Sequence, residues 1–164
     1  MDSYNPGSSN PCVVPPSGTY YSFWKHHRIA FSGTFTQITQ IKWYGPANVA
    51  STWGLGTGGK LAVGRRDSGD NGCPTANYQQ AVGTVGTTGT AIKDPTSGHA
   101  YYKDQTIDVG DADSFGSGSP LLIDSGPYSS SGASKSIVTQ VEIKPDATQG
   151  DKANVTLTWQ WDEI

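Results

Sequence analysis

The sequence predicts an all-β fold, an antiparallel β-sandwich or jelly roll, and three observations point there. Residues 153–161 place Ala153, Val155, Leu157, Trp159 and Trp161 alternately with Asn154, Thr156, Thr158 and Gln160. A period of two belongs to a strand whose successive side chains point to opposite faces. Glycine stands at 21 of 164 residues and charged residues at 15%, against about 25% in soluble domains, a balance that suits short strands joined by many turns. No segment of useful length carries a helical repeat. A chain of this size buries roughly two-thirds of its unfolded surface as one domain, so residues 19–164 are expected to form a single sandwich behind an extended arm, residues 1–18.

The arm, MDSYNPGSSNPCVVPPSG, holds four of the ten prolines. Proline cannot donate to a sheet ladder, so this stretch is expected to run extended over a surface, its own or a neighbour's. The densest aromatic block follows: Tyr20, Tyr21, Phe23, Trp24, Phe31, Phe35, Trp43 and Tyr44. Within it HRIAFSGTF alternates as one strand to a bend at Gly33, and QIKWYG reads as the next, closed by Gly45 and Pro46. A short strand is expected at 60–63 between glycine turns, then a polar loop from Asp67 to Pro74. Weaker strands fall at 78–82 and 91–93, and AYYKDQTIDV and SPLLIDSG supply two more around the loop DVGDADSFGSGS. Residues 137–144 and 153–161 flank PDATQGDK, whose turn residues predict that the two strands pair in a long antiparallel hairpin.

Chemistry-bearing residues are present without a constellation. His26 and His27 are adjacent on a strand and point to opposite faces, which prevents joint ligation of a metal; His99 sits in a turn-like TSGHA with no partner in sequence. The serines of GSGSP, residues 116–120, lack the second glycine of a nucleophile elbow. Asp108, Asp111 and Asp113 with Gly116 gather oxygens as a calcium loop would, but at the wrong spacing and without the closing glutamate, so an acidic solvated turn is the expectation. Arg65, Arg66 and Asp67 read as an exposed loop. Cys12 and Cys73 allow one disulfide closing a long loop or two thiols, and no export leader favours oxidation; no cysteine or histidine cluster suggests zinc. The sequon Asn154-Val155-Thr156 falls inside the expected last strand and is set aside. No catalytic residue, metal ligand or cofactor site is assigned. Trp159 and Trp161 share a face with Val155 and Leu157 and read as core; if they stood exposed they would suit sugar stacking, and a carbohydrate-binding or adhesive module is the alternative function.

A net charge of −3 and a pI near 5.4 leave no basic stripe for phosphates, which argues against nucleic acid as a partner. No window is long and apolar enough for a membrane helix, and residues 1–20 lack a leader's basic start and apolar run. The ending SKSIVTQVEIKPDATQGDKANVTLTWQWDEI resembles the close of small virion surface proteins of tailed phages: a strand with Gln140 at its middle, a loop carrying Ala147 and Gly150, and a threonine-rich strand closing on Trp161, Asp162 and Glu163. QIKWYGP with the glycine-rich strand after it, and YQQAVGTVGTTG, resemble the middle of such proteins. The resemblance implies a non-enzymatic β-sandwich on the virion exterior, a capsid decoration protein or tail component assembled in the host cytoplasm. Its partners would be a major capsid or tail protein and copies of itself, held through the arm and a sheet edge.

Overall fold

The structure, a computed structural model, describes residues 12–22, 25–65 and 109–164. The strands expected at 78–82, 91–93 and AYYKDQTIDV, the loop at 67–74, and Phe23, Trp24, Arg66, Cys73, His99 and Asp108 lie outside the described residues. So do residues 1–11 of the arm.

Ten strands make the described part nearly all-β: β1 Tyr20–Tyr21, β2 Lys25–His27, β3 Ala30–Phe31, β4 Ile38–Tyr44, β5 Lys60–Arg65, β6 Val109–Asp111, β7 Leu121–Asp124, β8 Gly132–Ala133, β9 Ile137–Ile143 and β10 Thr158–Glu163. The larger sheet is built around β9. Along one side β1 and β2 pair with its two halves, Tyr20 opposite Ile143 and Lys25 opposite Thr139, and along the other lies β5, with β6 beyond. The second sheet runs β10-β4-β7, and β3 pairs with β8 in a two-stranded ribbon. Every pairing is antiparallel.

The two main sheets close on one core. Leu61 and Val63 of β5 and Ile137 of β9 join Trp43 of β4 and Leu121 and Ile123 of β7 in a single buried cluster that also takes in Val49 and Ala112. Inner faces of two sheets sharing one apolar cluster is the sandwich arrangement, as the alternating patterns predicted. The central strands of the larger sheet are buried on both faces: Ala62 and Gln140, opposite each other in register, are each 1% exposed. A buried amide needs partners, and Gln140 Nε2 donates to Ser22 O at 3.0 Å while Ser22 Oγ accepts from Val141 N at 2.9 Å.

Strand β4 owes its burial to a bulge. Lys42 faces Gln160 and Thr39 faces Asp162, so Gln40 and Ile41 together oppose the single residue Trp161. The extra residue takes the left-handed region at Gln40, φ +52°, and resets the inward phase. Ile38, Ile41 and Trp43 are therefore all buried, which strict alternation over 38–43 would not allow.

Four expectations are corrected. The hairpin of 137–144 with 153–161 does not form, because β9 has strands on both sides and β10 belongs to the other sheet. Residues 144–157 instead cross between the sheets and dock on the glycine loop after Trp53: Lys144 N donates to Leu55 O at 2.9 Å and Thr148 N to Gly54 O at 2.8 Å. Thr57 donates its N–H (2.9 and 3.0 Å) and its hydroxyl (2.6 Å) to the Asp146 carboxylate. Gly56, at φ +85°, lies so close to this crossover that a Cβ would overlap Asp146 Oδ1. GLGTGG is thus the receptor for KPDAT, two stretches that sequence spacing leaves unconnected.

The last strand starts at Thr158, five residues later than alternation suggests. Val155 and Leu157 still pack on the core, but from outside the ladder. HRIAFSGTF is not one strand, since β2 joins the larger sheet and β3 the ribbon. A four-residue helix, α1 Val49–Thr52, also appears where no helix was expected. Near the arm, Val13 is exposed while Pro15 is fully buried.

Candidate functional site

A cleft of about 310 Å3 lies between β3 and the β4–β10 pair, lined by Ile29, Phe31, Phe35, Ile38, Ile41, Trp161 and Glu163 among others. The expectation placed Trp159 and Trp161 together in the core; Trp159 does pack on the core, whereas Trp161, opposite the bulged pair, is 44% exposed. Trp161 and Glu163 keep the face of Trp159 and line the cleft with Ile38 and Ile41, beyond the part of that face which the core covers. The indole Nε1 of Trp161 donates to Glu163 Oε2 at 3.4 Å, two residues along the strand.

The cleft wall is held by a polar tie. The Phe31 ring meets Phe35 edge-on with centroids 6.0 Å apart and Tyr128 at 4.8 Å. Tyr128 exchanges two backbone hydrogen bonds with Ile38, each 2.9 Å. Its hydroxyl donates to the buried Asp124 carboxylate, which also accepts from Lys135 N at 2.9 Å and Gly126 N at 3.1 Å. Burial alone would raise the Asp124 carboxyl; the hydrogen bonds from Tyr128, Lys135 and Gly126, with the Lys135 charge, outweigh it and hold the group below its ordinary 3.8. The Tyr128 phenol is pushed up to about 12 by burial and then by its hydrogen bond to, and the charge of, Asp124. This pair fixes the strands under Phe31 and presents no reactive group to the cleft's lining.

The other candidates resolve as follows. Asp113 caps α1 from across the fold: Val49 N donates to its Oδ1 at 2.7 Å and Ala50 N to its Oδ2 at 3.3 Å. Asp111 Oδ1 accepts from Asp113 N at 3.1 Å. The acidic turn is therefore an N-cap for a distant helix, not a solvated loop. Among the described residues no three His, Cys, Asp or Glu side chains are placed to hold a metal, and no helix there is long and apolar enough to cross a membrane. His27 is at the surface, its Nε2 3.5 Å from Thr139 Oγ1. Asn154 and Thr156 lie before β10 on an open groove of about 640 Å3 with Tyr44, Pro46 and Asn48; both are exposed, so a strand position is no reason to set the sequon aside. Cys12 is half-buried.

Phe31, Phe35 and Glu163 were missed as site residues because their convergence depends on the bulge at Gln40 and on the division of HRIAFSGTF between two sheets. Neither leaves a residue-type signal; a glutamine at positive φ has none. Compared with family models, curated proteins and solved structures, the chain matches none.

Proposed function

We propose that this chain is a non-enzymatic structural protein of a virion, a capsid decoration protein or tail component, that works by contact with a major capsid or tail protein and with copies of itself. Assembly takes place in the host cytoplasm, and neither nucleic acid nor membrane is a partner. The observation that carries this reading is the outer edge of β10. Among the described residues this strand pairs only with β4, and it presents Trp161, 44% exposed, and is followed by Ile164, 74% exposed. An unpaired edge flanked by exposed apolar side chains is the geometry that accepts an added strand from another chain. The phage-protein resemblance of this same ending supports the assignment.

The test is co-expression with the capsid and tail genes that neighbour its own, followed by particle purification. Recovery with particles at fixed stoichiometry is expected, and a chain that stays wholly unbound while particles form would end the reading. Deleting residues 2–11 keeps the buried Pro15 and is expected to leave a folded domain with lower occupancy.

A second reading, a carbohydrate-binding module, is favoured by one observation: Trp161 stands exposed beside Glu163 on a cleft within the size range of small-ligand pockets, roughly 300–1,000 Å3. Glycan-array binding that disappears in Trp161→Ala would support it.

A further inference from the structure

We propose that the cleft between β3 and β10 is a socket for one lysine or arginine side chain presented by a protein partner. This rests on the protein-contact reading above and names what that contact recognises.

The lining divides as such a side chain does. Ile29, half-buried, offers apolar surface over a floor of the buried Ile38 and Ile41, which matches the methylene stem that lysine and arginine bury while keeping the head group polar. Phe31, Phe35 and Trp161 offer aromatic rings, and ring faces attract ammonium and guanidinium groups. Among the described residues Glu163 is the one charged side chain in the lining, and it is anionic. Among the described residues no lysine, arginine or histidine lines the cleft to oppose a cation. Glu163 Oε2 already engages the Trp161 indole, which holds the carboxylate on the ring's side and leaves Oε1 for an incoming donor. A neutral sugar would use the ring and the carboxylate but has no alkyl stem for Ile29.

The position fits as well. A partner strand added along the outer edge of β10 projects alternate side chains to one face, and the cleft adjoins that edge through Trp161 and Glu163.

The experiment titrates the intact protein with Nα-acetyl-lysine methylamide and Nα-acetyl-arginine methylamide. Nα-acetyl-norleucine methylamide serves as the uncharged control and glucose as the sugar control. The readout is the indole N–H resonance of Trp161, assigned with Trp161→Phe. Saturable shifts with both cationic amides are expected, with norleucine weaker by roughly fivefold or more and the cationic preference lost in Glu163→Gln. Equal binding of norleucine and lysine, or shifts with glucose and none with the amides, would overturn the socket. Particle recovery separates the two readings. If Glu163→Gln and Trp161→Phe enter particles at full occupancy, the socket has no role and the contact reading stands. If wild type never enters particles yet binds the amides, the contact reading falls alone.

Discussion

Two junctions in this fold treat exposed groups in opposite ways. Where the Gly54–Gly59 loop meets the crossover from Lys144, polar groups are matched within the chain: Thr57 and Asp146 answer each other, Leu55 and Gly54 carbonyls receive N–H groups, and glycine lets the backbones touch. Where β3 meets β10, rings and a carboxylate are brought together and left open. Both junctions join distant parts of the chain. The difference teaches that closure here follows from satisfied hydrogen bonds and small residues, while the open site lies past the end of the shared core. A partner has something to bind only at the second.

The sharpest way to separate buried from open surface is to compare tryptophans. Trp43→Ala, in the shared core, should cost about 3–5 kcal/mol and bring a large fall in melting temperature, if it folds at all. Next comes the tie beneath the cleft: Asp124→Ala strands the Tyr128 hydroxyl and two N–H groups and should cost about 3 kcal/mol in denaturant melts. Gly56→Ala adds a Cβ against Asp146 at a positive φ and should cost about 2 kcal/mol, with faster amide exchange at Thr57. Trp161→Ala should change stability by no more than about 0.5 kcal/mol while removing ligand-induced shifts. A large loss from Trp161→Ala, or a negligible one from Gly56→Ala, would erase the contrast between the two junctions.

The cleft also has a pH signature. Asp124 titrates below its ordinary 3.8 in the folded chain, so its contribution is complete above that value and lost as pH falls through the lowered one. Tyr128 is raised from 10.0 to about 12, so the fold favours the neutral phenol; that contribution is complete below pH 10.0 and lost as pH rises toward 12. Melting temperature against pH should fall at both ends, and Asp124→Asn should flatten the acid limb.

Much of the fold was legible because strand patterns are local. QIKWYG, KLAV, LLID and IVTQVEI each announced a strand through β-branched and aromatic residues, and each is one. Pairing was less legible: PDATQGDK has the composition of a hairpin turn, yet its aspartate and threonine serve a loop 89–94 residues away. The site was hardest to see. Trp161 obeys the alternation of residues 153–161, yet it stands past the end of the shared core and so stays exposed, which alternation does not report; Asp113 looks like an acidic loop until the helix it caps is in view.

The cap on α1 has a consequence for the order in which the molecule comes into being. A four-residue helix cannot hold itself together in water, and the carboxylate that anchors its first turn lies 64 residues downstream. Strand β9, the centre of the larger sheet, comes later still than every strand that flanks it. During synthesis β1, β2, β5 and β6 therefore emerge before the strand about which their sheet is built. The sandwich closes only when β9 and β10 have been made, a topology rich in distant contacts and correspondingly slow to fold.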